Sequence, residues 1–271
     1  MKDYSQGKII ACIIVRMKSK RLPGNALADI NGKTMTERII ERLRAAKTVD
    51  QIVICTSTHK DDQILVNMAK NVWGVEVFAG SELNVLSRMI SSADMLQADD
   101  VIRVTGDNPF TDTDYIDWMV EKHLATRAEY TRIIGLPEGV TAEIMSNDML
   151  VKLHKLMADT NQSEYLTIFA FDPNIFKCTI LDAKTEHYRP YYSLSIDTPD
   201  DLDLARNLYK IVAPDGGMPS LTEVIKELDS DPCYKGRNPT DQVKISDNSF
   251  ITYEEAINRI NKLAEIAKRN M

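Results

Sequence analysis

No stretch of about 20 apolar residues occurs in the chain, which argues against a membrane-spanning helix. Residues 1–8 are polar and the apolar run at 9–15 is short, so no secretory leader is expected. Cysteine is scarce. Cys12, Cys55, Cys178 and Cys233 lie far apart with no CxxC pair, and Cys12 and Cys55 sit in apolar runs where buried, reduced thiols are expected. The compartment this implies is the cytoplasm. His59, His123, His154 and His187 show no metal-ligand spacing. No GxGxxG follows the first apolar run, which counts against a dinucleotide-binding enzyme. The 31–34 stretch looks like the end of a P-loop, but Leu27 stands where its first glycine belongs. A GxSxG nucleophile elbow is also missing. Basic residues are outnumbered, 33 against 40 acidic, for a net charge of −7. That balance argues against general binding of nucleic acid or an anionic membrane. It leaves room for a local cationic cluster and a small anionic ligand.

What is present is an ordinary soluble composition, 44% hydrophobic and 27% charged over 271 residues. Short apolar runs at 9–15, 51–56, 75–78 and 100–105 read as strands. Helical spacing fills 34–47, 61–71, 83–96 and 112–125, the first opened by a Thr34/Glu37 capping box. The alternation predicts an α/β fold with a mostly parallel sheet covered on both faces. Beyond residue 126 the expected strands are 129–134, 178–182 and 191–196, and the expected helices 146–157 and 163–171. Thr198, Pro199 and Asp201 mark a helix start, as do Ser220 and Glu223. The chain divides into an α/β domain, 1–230, and a tail, 231–271, made of a polar linker and a last helix at 252–268. The helix carries Ala256, Ile257, Ile260, Leu263, Ala264 and Ala267 on one stripe. Packing on its own domain is the preferred reading of that stripe; a homodimer contact is the alternative.

In such sheets ligands bind beyond the carboxyl ends of the strands, at a topological switch point. Three motifs fall there. Arg16-Met17-Lys18-Ser19-Lys20-Arg21 places four cations directly after the first strand, which suits a polyphosphate. Gly106-Asp107 ends the fourth strand. The glycine is expected to let a ligand approach the backbone, and the carboxylate suits Mg²⁺ shared with substrate phosphates. Asp112 is better placed to cap the next helix, which leaves Asp107 available. Asp197, before the Thr198-Pro199 start, is a candidate second carboxylate for the same metal; helix-dipole stabilisation is the competing reading.

Residues 14–27 followed by Ile30-Asn31-Gly32-Lys33 resemble the opening of the acylneuraminate and Kdo cytidylyltransferases, closest to their SpsF-like branch. Further matches are Gly80-Ser81 with Val85-Leu86-x-Arg88, then Arg103-Val104-Thr105-Gly106-Asp107-Asn108-Pro109, and Ser195-Ile196-Asp197-Thr198-Pro199-Asp200-Asp201-Leu202. The resemblance covers about residues 8 to 212. It implies a Rossmann-like, glycosyltransferase-A-type nucleotidyltransferase. Its members transfer CMP from CTP to an acidic sugar of surface polysaccharide and release pyrophosphate. It further implies that Arg16 and Arg21 offset charge on the phosphorus oxygens. Val15, Met17, Lys18, Ser19, Lys20, Asn25, Gly80, Ser81 and Gly106 would hold the nucleotide, and Asp107 and Asp197 the Mg²⁺. Glu143 and Glu164 would line the acceptor pocket, and His187 and Arg189 would grip an acceptor carboxylate. Two positions depart from the family pattern: Asn25 replaces a lysine and Lys18 a glycine. Three alternatives stay open: a phosphate or phosphonate acceptor, a degenerate member that binds nucleotide or a partner protein without turnover, and a glycosyltransferase that uses a nucleotide sugar on the same fold.

Overall fold

The computed structural model describes residues 7–18, 21–161, 166–246 and 248–270. Glu164, Ser19 and Lys20 lie outside the described residues. The central sheet has seven strands: β1 (Ile9–Ile14), β4 (Gln51–Ser57), β5 (Glu76–Gly80), β6 (Asp100–Thr105), β7 (Tyr130–Ile134), β8 (Glu143–Ser146) and β9 (Cys178–Asp182). Their order is β5-β4-β1-β6-β8-β7-β9, and only β8 runs antiparallel to its neighbours. β1 reads as one continuous apolar run because both its faces are buried. Ile9, Ala11 and Ile13 enter one core, Ile10 and Cys12 the other. From β1 the chain first builds outward to β4 and β5, then returns to add β6 on the opposite side. The switch point therefore lies between the carboxyl ends of β1 and β6.

Helices α1 (Met35–Ala45), α2 (Gln63–Met68), α3 (Val85–Leu96), α4 (Thr113–Thr126), α5 (Asn147–Leu156), α6 (Leu166–Ala170), α7 (Pro199–Val212) and α8 (Leu221–Ser230) cover the sheet. The cap signals hold: Thr34 with Glu37 and Thr198 with Asp201 both form capping boxes. Asp112 caps α4 by accepting from the Tyr115 N–H at 3.0 Å. Among the described residues no helix is long and apolar enough to cross a membrane. Cys12, Cys55 and Cys178 are buried free thiols, and Cys233 is exposed.

Three stretches differ from expectation. Inside the expected loop 16–33, Asn31 (φ 51°) and Gly32 (φ 83°) form the turn of a small hairpin, β2 (Asp29–Ile30) with β3 (Lys33–Thr34). An Asn-Gly pair with both φ values positive is the favoured two-residue hairpin turn, which explains the P-loop look-alike. Residues 191–196, expected as a strand, form a strap with one isolated bridge, Ser193 to Glu138. Strand β8 already occupies the ladder beside β6, so the strap bonds to loops instead: Leu194 N–H to Glu138 O (2.8 Å) and Ile196 N–H to Asp107 O (2.9 Å). The stretch read as a linker contains a strand, β10 (Gln242–Ser246), paired with β11 (Ser249–Thr252). The last helix, α9 (Tyr253–Asn270), buries Ala264 and Ala267, and packs Ile260 and Leu263, against the core that includes Tyr130, Phe171 and Ile180.

Candidate active site

The loop after β1 folds back on itself. Gly24 (φ 75°) donates to Met17 O at 3.0 Å, and Met17 N–H donates to Asp62 Oδ1 at 2.7 Å. Asp62 is 2% exposed and also accepts from Ser57 Oγ at the end of β4, so a buried carboxylate anchors the basic loop to the sheet rim. Arg16 donates to Glu82 O at 2.9 Å, and Lys18 Nζ lies 4.0 Å from the Glu82 carboxylate. The loops after β1 and β5 thus meet across the rim. Ser81 is exposed there, and its carbonyl accepts from Arg88. Neither Asp62 nor Glu82 was indicated by the sequence, where each reads as an ordinary acid near a helix start.

The two glycines of the motifs serve packing. A Cβ on Gly106 would stand 2.7 Å from the Val15 side chain and 3.0 Å from Ile14 O. Close approach of the β1 and β6 ends is by itself enough to demand glycine there. A Cβ on Gly80 would meet Phe78 at 2.8 Å. Asn25 is buried in a short 3-10 turn (Asn25–Leu27), with its N–H bonded to Leu22 O at 3.2 Å.

The structure brings Asp107 and Asp197 together through the Ile196 N–H to Asp107 O bond, although 90 positions separate them. Arg21 reaches over to Asp197, Nη2 to Oδ1 2.5 Å. Arg237 approaches from the other side, 3.7 Å from Asp197 Oδ2, while its Nε donates to Glu138 Oε2 at 2.9 Å. Burial, then the Asp107 charge, pushes the Asp197 carboxyl up to about 6, against the pull of Arg21 and Arg237. Asp107 Oδ1 is buried without a hydrogen-bond partner. A carboxylate oxygen left bare beside a second carboxylate suits a divalent cation. Among the described residues no set of three or more His, Cys, Asp or Glu could hold a metal alone. A cation at Asp107 and Asp197 would therefore complete its shell with phosphate and water oxygens, as Mg²⁺ commonly does.

The residues assigned to the acceptor are differently placed. Glu143 is 6% exposed and already accepts from Arg103 (2.5 Å), Thr167 (3.0 Å) and Tyr130. Burial would raise its pKa, but Arg103, Arg132 and these hydrogen bonds together hold it below the usual range. His187 and Arg189 join a different cluster. Both His187 ring nitrogens are engaged, with Tyr115 Oη at 3.0 Å and Thr222 Oγ1 at 2.9 Å, and burial lowers its pKa. Arg189 forms a two-armed ion pair with Asp229 of α8 at 3.0 and 2.6 Å. These contacts tie α4 and the 187–189 segment to α8 and leave His187 no free ring nitrogen for an acceptor.

A basic loop beside a carboxylate pair at a Rossmann-like switch point is the arrangement a nucleotidyltransferase needs. Residues 10–223 match the cytidylyltransferase family, and the chain belongs to it. It is 32% identical to the spore coat polysaccharide biosynthesis protein SpsF of Bacillus subtilis, covering 74% of this chain and 86% of that protein. It is also 32% identical to 3-deoxy-manno-octulosonate cytidylyltransferase of Christiangramia forsetii over 41% of this chain and 44% of that one. A cytidylyltransferase structure from Leptospira borgpetersenii superposes with a TM-score of 0.76 at 25% identity, covering 85% of this chain and 98% of that one. The protein is a CTP-dependent cytidylyltransferase.

Proposed function

We propose that the protein transfers CMP from CTP to an acidic sugar of a surface polysaccharide pathway, with release of pyrophosphate. The observation that carries this reading is the convergence of Asp107 and Asp197 under Arg21, beside the Arg16–Lys18 loop. Support for the acceptor class comes from the relatives that act on 3-deoxy-manno-octulosonate or in spore coat polysaccharide synthesis.

The acceptor hydroxyl oxygen attacks the α-phosphorus of CTP and gives up its proton to water; the new P–O bond forms as the bond to the bridging α–β oxygen breaks, and pyrophosphate leaves. Asp107 and Asp197 would hold Mg²⁺, which would neutralise phosphate charge. Arg16, Lys18 and Arg21 surround the triphosphate. Arg21 is the most adaptable of the three: its side chain is 64% exposed and its partner Asp197 12%, so it can exchange a carboxylate for a phosphate oxygen. No covalent enzyme nucleophile is required, because positioning and electrostatics lower the barrier.

The test is incubation with CTP, Mg²⁺ and 3-deoxy-manno-octulosonate or N-acetylneuraminate, followed by pyrophosphate release and product mass. A CMP–sugar mass with stoichiometric pyrophosphate supports the reading. Product formed only from a phosphate or phosphonate acceptor would replace it with that acceptor class. CTP binding with no release from any acceptor would make the chain a degenerate member.

A further inference from the structure

Three side chains lie in one row across the sheet. Arg103 of β6 pairs with Glu143 of β8, and Glu143 pairs with Arg132 of β7. Directly paired residues of adjacent strands share a face, so two guanidinium groups flank one carboxylate. Glu143 is spent on Arg103, Thr167 and Tyr130. Arg132 obtains none of these bonds. Its Nε and Nη1 are buried without a hydrogen-bond partner, as is Arg103 Nε. Its guanidinium carbon lies 5.3 Å from the Phe171 ring centroid, and Phe171 is stacked on Tyr130 at 5.4 Å. The cation lies against an aromatic face with the Glu143 carboxylate as its neighbouring anion, but its Nε and Nη1 donate to no acceptor.

The row has one positive charge in excess, and it sits close to the rim. Thr105, two residues beyond Arg103 on the same strand, leads into Gly106 and Asp107. β7 runs in the same direction as β6, since each is antiparallel to β8. Buried N–H groups on a charged side chain are rarely left unpaired, and a planar fork of donors matches a carboxylate or phosphate. We infer that Arg132, backed by Arg103, is a binding site for an oxyanion carried by the acceptor. This inference rests on the cytidylyltransferase reading of the rim, and it assigns the acceptor side of that site to the β6-β8-β7 row rather than to His187 and Arg189. Glu143 acts as a positioning residue that fixes Arg103 and leaves Arg132 uncommitted.

Three probes carry the oxyanion in different forms: 3-deoxy-manno-octulosonate (carboxylate), glycerol 3-phosphate (phosphate ester) and 2-aminoethylphosphonate (phosphonate). Each is titrated against full-length wild type, Arg132→Met and Arg132→Lys, with and without CTP, by calorimetry and thermal shift. At least one probe should bind wild type, and Arg132→Met should weaken it by about 10- to 100-fold, the range for lost charge-assisted hydrogen bonds. CTP affinity should stay within about 2-fold, because the nucleotide loops are untouched. Arg132→Lys should recover part of the loss. The ligand-free Arg132→Met protein should melt no lower than wild type, since methionine fills the space and removes unpaired groups. The weakened probe identifies the acceptor's anion. Failure of all three to bind wild type, unchanged affinity in Arg132→Met, or a melting temperature well below wild type in both variants would overturn the assignment. Lost CTP binding in wild type would instead count against the nucleotide site, and the probe titrations without CTP would still decide Arg132.

Discussion

Asp197 is where burial and charge compete most openly. Its carboxyl is raised from 3.8 to about 6 by burial and by Asp107, despite two arginines. An acid whose folded pKa exceeds its unfolded one favours the native state most when protonated. Its ionisation therefore removes stability from the metal-free protein as pH rises from about 4 to about 6, by up to about 3 kcal/mol. Asp197→Asn should then be no more stable than wild type at pH 4 and more stable at pH 7.5, measured by urea melts in chelator. An advantage that does not grow with pH would refute the assignment. The partner carboxylate gives the functional counterpart. Asp107→Asn should keep its melting temperature but lower Mg²⁺-dependent kcat/KM by at least about 100-fold, the range for removing a group that organises transition-state charge. Unchanged turnover would take Asp107 out of the site.

At the scale of elements, the rim depends on how closely β1 and β6 approach. Gly106→Ala would push a Cβ to 2.7 Å from Val15. Overpacking of this kind costs about 1–3 kcal/mol. Val15→Ala in the same chain should return part of that loss, and a double-mutant cycle of melts measures the coupling. Much of this level was legible in the sequence. The strand–helix alternation to residue 126, the caps at Thr34, Asp112, Thr198 and Ser220, and the loops that carry Arg21, Asp107 and Asp197 all rest on local patterns. What was not legible depends on distant neighbours. Strand β8 has only four residues and no flanking period to announce it. Residues 191–196 have a strand-like composition, but β8 had taken the ladder position they needed. Arg237 lies in a polar, turn-rich stretch, and nothing in its spacing points to Asp197. His187 and Arg189 were assigned by resemblance alone, and their partners Thr222 and Asp229 are set by how α8 packs. Arg237 itself invites a measurement. Arg237→Ala should raise the KM for Mg·CTP by about 3- to 30-fold, as expected for a partly exposed cation beside an ionic site, with little change in melting temperature. An unaltered KM would mean that Arg237 serves only Glu138.

Across the whole molecule, the tail and the family-like body share one core. The family match stops at residue 223, yet α9 sets Ile260, Leu263, Ala264 and Ala267 against the hydrophobic cluster that also holds Tyr130, Phe171 and Ile180. Ala264 and Ala267 of the apolar stripe are thus buried on their own chain, while Ala256, Ile257, Ile260 and Leu263 stay half-buried. Lys268 adds bonds of 2.7 and 2.6 Å to Asp182 at the sheet edge β9, and Asn270 donates to Pro173 O at 3.0 Å. α9 packs on β9, the edge strand beside β7 and far from β4, and so lies nearer the proposed acceptor row than the β1 rim. A charge placed under the helix should therefore act unequally on the two substrates. Ala267→Glu, at a position 1% exposed, should destabilise the protein by roughly 2–4 kcal/mol. In the surviving folded fraction it should raise the KM for the acceptor more than the KM for CTP. Equal shifts in both would show that the tail supports the fold as a whole, and a larger shift for CTP would show that it communicates with the rim through Arg237 instead.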